Sequence, residues 1–127
     1  MSNETKRLDM VFDYELIDKN TILLIKLDGE LVDNLNSDEK IVFKIEGIIK
    51  QDVINVIVDL SKIKYISSNG ISWLISLLTK FRNKGGELIL LNPSLHVKKL
   101  LVMTKLIGIF EIFETEREAI VFLNNNK

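Results

Sequence analysis

The sequence predicts an α/β domain with a mixed, mostly parallel sheet, and three features point to it. Residues 54–60 (INVIVDL) are a β-branched run with apolar side chains at nearly every position, as in a central strand covered on both faces. After Gly70, the residues Ile71, Leu74, Leu78 and Phe81 recur at intervals of three and four, which marks one apolar stripe of a helix packing back onto that strand. The same strand-then-helix alternation repeats downstream of an N-terminal pair of strands. The resulting order, β-β-α-β-α-β-α-β-α, calls for parallel strands joined by right-handed crossovers.

Residues 1–9 are polar and charged and read as a disordered leader, with too little apolar surface to offset the entropy of ordering. Residues 10–17 (MVFDYELI) alternate apolar and polar, the pattern of a half-exposed strand. Asp18, Lys19 and Asn20 supply a turn, and residues 21–27 (TILLIKL) form a more buried partner, so the two pair as an antiparallel hairpin ended by Asp28, Gly29 and Glu30. Residues 31–36 are irregular. Asn36 or Ser37 can then cap a helix opening at Asp38 and Glu39, whose acids suit a helix N-terminus, with Ile41, Val42, Ile45, Ile48 and Ile49 at helical spacing.

Gly85 and Gly86 stop the helix that follows the central strand, because glycine takes the left-handed conformation a C-terminal cap requires. Residues 87–91 (ELILL) form a further strand, ended by Pro93, and Ser94 starts a helix over about 95–105 carrying Val97, Leu100, Leu101 and Thr104 on one side. Residues 109–113 (IFEIF) read as an edge-like strand. Thr115 and Glu118 then match a capping box that opens a terminal helix through Leu123. One domain over 10–123, followed by a polar tail at 124–127, accounts for the whole pattern, and no internal repeat or linker interrupts it.

Composition narrows the function. Apolar residues at 46% and charged residues at 28% are globular values, and a formal net charge of -1 leaves no global field to draw nucleic acid or an anionic membrane surface. No apolar run approaches the ~20 residues of a membrane span, and no secretory signal opens the chain, so a cytoplasmic protein that does not insert in membranes is expected. There is no cysteine, so disulfides, thiolate ligands and a cysteine nucleophile are excluded together. The one histidine, His96, lacks a second ligand at metal spacing and reads as a surface or partly packed side chain. The glycine-rich phosphate loops and the serine-hydrolase elbow are missing. Catalysis and a cofactor are therefore not expected.

What remains is the run Ser67-Ser68-Asn69-Gly70 where the central strand turns into its helix. Serine there is a preferred helix cap and glycine eases the bend. The same place, at the carboxyl end of a central parallel strand and at a helix N-terminus, is also where ligands of open α/β sheets sit and where a phosphate is held by free N–H groups. Both readings, cap and switch, fit the residues.

The segments 58–61 (VDLS), 65–71 (YISSNGI), 84–93 (KGGELILLNP), 100–106 (LLVMTKL) and 110–112 (FEI), in this order and at these gaps, resemble a STAS domain, specifically a stand-alone anti-sigma factor antagonist. The resemblance spans about residues 9–123 and implies a STAS-like sheet with helices packed on it. It also implies a bacterial phosphoprotein that regulates transcription by partner switching. The unphosphorylated form binds an anti-sigma factor that is also a serine kinase, phosphorylation of one serine breaks that complex, and a serine phosphatase restores it. Aligned on the family's aromatic-apolar-Asp-Ser-Ser/Thr-Gly pattern, Ser68 takes the acceptor position, with Ser67 the second choice, and Ser67 stands where the family has aspartate. The partner surface implied is Ser67, Ser68, Asn69, Gly70, Ser72 and Trp73 together with Glu30 and Asp33. Val32 stands where the family's Gly-Glu-Leu-Asp has its acid. From the usual burial of aromatics Trp73 itself reads as core, with the docking surface as its other placement. Two other functions fit the same residues: a non-switching subunit of a sensory or lipid-transport assembly, in which the serines only cap, and a small-ligand binder at the carboxyl end of the sheet.

Overall fold

In a computed structural model, residues 5–6 and 10–125 are described, and the remainder of the expected leader and tail lie outside them. A six-stranded sheet runs in sequence order: β1 (Thr5–Lys6), β2 (Met10–Ile17), β3 (Ile22–Leu31), β4 (Asn55–Ile66), β5 (Leu88–Leu91) and β6 (Glu111–Phe113). The first three strands pair antiparallel, and β3 through β6 pair parallel. The helices α1 (Glu39–Ile49), α2 (Ser68–Arg82) and α3 (Leu95–Met103) occupy the parallel crossovers, and α4 (Glu116–Asn125) follows the last strand. The expected element order is thus present, preceded by the two-residue β1, which pairs Thr5 with Phe12 in a region expected to be disordered.

Side-chain alternation splits the interior in two. One face of the sheet, with Leu23, Ile25, Val56, Val58, Leu88 and Leu90, packs against α1, α2 and α3. On the opposite face Ile22, Leu24, Ile57, Ile89 and Leu91 meet Ala119 and Leu123 of α4. The first half of β4, with Val56, Ile57 and Val58, and the whole of β5 are buried on both faces, which is why these stretches are continuously apolar.

Local chemistry explains the ends of the elements. Asp38 caps α1 by accepting from the Lys40 and Ile41 amides, whereas Asn36 and Ser37, the residues expected to cap it, lie in a 3-10 turn over Leu35–Ser37. The helix starts later than the serine signal suggests because Asn34 takes up this turn, its side chain accepting from the Asn36 amide at 3.1 Å. At the end of α2, Gly85 adopts φ 86° and the Gly86 amide donates back to the Phe81 carbonyl at 3.0 Å, the six-to-one closure of a left-handed C-cap. Thr115 accepts from the Glu118 amide at 3.2 Å, as the capping box requires. Helix α3 stops at Met103, with Thr104 exposed rather than packed, and a 3-10 turn over Ile107–Ile109 delays β6 to Glu111.

Strands β3 and β4 run well past their expected ends. Pairing continues through Asp28↔Lys62, Gly29↔Ile63, Glu30↔Tyr65 and Leu31↔Ile66, and each of two register shifts leaves one extra residue on β4. These bulges replace period two by period three, so that Leu60, Ile63 and Ile66 are buried while Ser61, Lys62, Lys64 and Tyr65 are exposed. A bulged strand has no alternation to read, which is why this half of β4 is not evident in the sequence.

Trp73 is 1% exposed and belongs to the main core with Leu74, Leu77 and Phe81. Its Trp73→Ala variant should unfold about 3–5 kcal/mol more easily, the range for emptying a large aromatic site. Urea denaturation followed by circular dichroism measures this, since the substitution removes the only tryptophan.

Candidate functional site

Helix α2 begins two residues before Gly70, the start expected from the sequence, with Ser67 as its N-cap in an extended conformation and Ser68, Asn69 and Gly70 as its first turn. The first intrahelical bond runs from the Ile71 amide to the Ser67 carbonyl at 3.0 Å, so the amides of Ser68 and Asn69 precede the hydrogen-bonded ladder. Ser68, Asn69 and Ser72 are exposed. The turn therefore presents hydroxyls and unladdered N–H groups outward at the positive end of a 15-residue helix.

The two adjacent serines have different surroundings. Ser67 is half-buried; its hydroxyl donates to the Val32 carbonyl at 2.9 Å and accepts from the Gly70 amide at 3.3 Å. Its own amide donates to the Leu31 carbonyl at 3.0 Å. Ser68 points into solvent one residue later. A long-range partner, 35 residues away in the chain, thus decides which hydroxyl is engaged and which is available.

Gly70 is buried because it lies against the end of β3. A Cβ on it would stand 2.3 Å from the Leu31 carbonyl oxygen and 2.9 Å from side-chain carbons of Ile66 and Leu31. Glycine is required here for close approach of backbone to backbone. With Leu31 and Val32 held against the turn, exposed Glu30 and half-buried Asp33 flank it on the neighbouring strand end and loop. Further along, the Asn36 side-chain amide donates to the Ser76 hydroxyl at 2.8 Å, which donates to the Trp73 carbonyl at 2.8 Å.

Of the residues expected to form the partner surface, Ser67, Ser68, Asn69, Gly70, Ser72, Glu30 and Asp33 converge on this end of the sheet. Trp73 does not reach its surface, since the indole faces inward. Three contacts were not readable from the sequence: Val32 acts through its carbonyl, Asn36 through its amide, and Tyr65 stacks on His96 with ring centroids 5.3 Å apart. That stack places His96 on the surface beside an open hollow of about 590 Å³ rimmed by Lys62, Lys64 and Leu95. Among the described residues no group of three or more histidine, cysteine or acidic side chains is placed to hold a metal ion.

Comparison with known proteins agrees with this fold. A family model described as the STAS domain matches residues 13–119. The anti-sigma F factor antagonist of Paenibacillus polymyxa is 26% identical over 102 residues, covering 80% of this chain and 86% of that protein. Two solved structures, the anti-sigma factor antagonist SpoIIAA in its unphosphorylated form and the Bacillus cell fate determinant SpoIIAA in its phosphorylated form, are each 28% identical. The first superposes with a TM-score of 0.72 over 90% of this chain and 96% of its own; the second gives 0.65 over 86% and 96%.

Close approach at Gly70 predicts opposite effects for one substitution at two helical sites. Gly70→Ala should destabilise by about 1–3 kcal/mol, because the obstacle is backbone and cannot turn aside. Gly47→Ala, in α1 with nothing within 4 Å of the added methyl, should stabilise by about 0.5–1 kcal/mol. Chemical denaturation of both variants checks the pair.

Proposed function

The chain belongs to the STAS domain family, and from that premise we propose that it is an anti-sigma factor antagonist whose docking to an anti-sigma factor kinase is abolished by phosphorylation of Ser68. The names of its relatives support the general role, and the phosphorylated SpoIIAA structure supports a modified state in this fold. The observation that carries the assignment to Ser68 is the contrast between the serines: Ser67 is committed to Val32 and Gly70, and Ser68 is exposed.

In this reading the protein catalyses nothing itself. It is a soluble cytoplasmic regulator of transcription that contacts neither nucleic acid nor membrane, and it cycles between a kinase and a serine phosphatase. Unmodified, the α2 N-terminus with Glu30 and Asp33 docks on the kinase and frees a sigma factor. Phosphorylation adds about -1.5 to -2 charges and three acceptor oxygens at residue 68. The isolated domain tolerates them, because the helix N-terminus stabilises an exposed anion by about 0.3–1 kcal/mol. The docked complex does not, because the anion adds to the acids already flanking the turn and would be desolvated against the partner.

The test is direct. Ser68→Asp should melt close to the parent yet bind its anti-sigma factor kinase, isolated as the protein the parent chain captures, at least about tenfold more weakly, a difference of roughly 1.4 kcal/mol. Ser68→Ala should bind like the parent and take up no phosphate when incubated with that kinase and ATP, as read by mass spectrometry. Binding of Ser68→Asp as tight as the parent's, or no phosphate on parent Ser68, would discard the switch in favour of a non-switching subunit.

A further inference from the structure

The segment between β3 and α1 is attached to α2 at two points. At one end the Ser67 hydroxyl donates to the Val32 carbonyl at 2.9 Å; at the other the Asn36 amide donates to Ser76 at 2.8 Å. Between them Leu35 is 1% exposed and the Asn34 carbonyl accepts from both the amide and the hydroxyl of Ser37, at 3.0 and 2.9 Å. Five residues, Val32 to Asn36, are thus spanned by side-chain bonds to the helix that carries Ser68.

The two bonds of the Ser67 hydroxyl make different demands. Accepting from the Gly70 amide is an N-cap role that serine, threonine, aspartate or asparagine all fill. Donating to a carbonyl needs a proton on the side chain, which an ionised carboxylate lacks. An aspartate at this position would keep the cap and set a negative oxygen against the Val32 carbonyl oxygen.

We propose that Ser67 is a positioning residue whose donated hydrogen bond to Val32 fastens the Asp33-bearing loop to the α2 N-terminus, so that loop and phosphoacceptor present one preorganised docking surface. The proposal rests on the reading of the Ser68 turn as that surface. A loop already ordered before contact does not have to be ordered during it, which lowers the entropic cost of docking. Substitution by an acid would loosen the Val32 end of the loop, which Leu35 and the Asn36–Ser76 bond continue to hold at its other end, without unfolding the helix start.

Hydrogen exchange of the isolated protein, resolved by segment, tests this with Ser67→Thr, Ser67→Asp and Ser67→Ala. Ser67→Thr keeps donor and acceptor and should exchange like the parent over residues 32–37. Ser67→Asp should melt near the parent because the cap survives, while exchange over 32–37 rises about tenfold, the factor expected for one lost hydrogen bond of ordinary strength. Ser67→Ala should show the same local rise with a lower melting temperature. Parent-like exchange in Ser67→Asp, equal rises in Ser67→Thr and Ser67→Asp, or a rise shared equally by the β5 amides would each overturn the proposal. Such a result leaves the Ser68 switch standing, whereas parent-like kinase binding by Ser68→Asp removes the switch and leaves the fastening in place.

Discussion

The parallel pairing of β3 with β4 is the constraint on which the rest of the molecule depends. It begins at Ile22↔Asn55, deep in the doubly covered sheet, and ends at Leu31↔Ile66, after two bulges on β4. Because the strands stay paired to that point, β3 ends beside the residue where β4 turns into α2. The Leu31 carbonyl can then accept from the Ser67 amide and the Val32 carbonyl from its hydroxyl. Had pairing stopped at Lys26↔Asp59, the loop after β3 and the first turn of α2 would have no reason to meet. The site is a consequence of strand length.

That dependence also explains the glycine. Two backbones brought so close leave no volume for a Cβ at position 70, and the conformation there is ordinary helix, so the requirement is steric and not one of dihedral angle. Gly85 is the other case: space around it is open, and its φ of 86° is what demands glycine. One residue type answers two different physical problems at the two ends of the same helix.

Most of the architecture was legible because it is written in local chemistry. The apolar run 54–60, the stripe Ile71–Leu74–Leu78–Phe81, the Gly85 stop and the Thr115–Glu118 box each act within a few residues, and each lies where its pattern indicates. Signals failed where a competing local bond, a bulge or a distant partner decides. Asn36 and Ser37 look like caps, but Asn34 folds them into a 3-10 turn and Asp38 caps α1 instead. The far half of β4 is invisible because bulges erase its alternation. Trp73, by contrast, reads as core from aromatic burial alone, and it lies there. At the site itself, the run from Ser67 to Gly70 could be picked out from its place between strand and helix, and Ser68 within it only from the family resemblance, but which of two neighbouring serines is free depends on a carbonyl 35 residues away.

Charge at the helix starts separates α2 from α1 and α4. The first turn of α1 carries Glu39 behind the Asp38 cap, and that of α4 carries Glu116 and Glu118, so both positive ends are offset by the chain's own acids. The first turn of α2 carries no acid, and its cap is a neutral serine. An aspartate at 67 would have offset that end too, and would have stood beside any phosphate on Ser68 as a like charge. Serine at 67 leaves the helix field available to a phosphate at 68 and, through its proton, keeps the neighbouring loop in place. Relative to the aspartate that the sequence resemblance implies at this position, serine therefore removes a repulsion from the modified state of the proposed switch and adds a bond to its unmodified one.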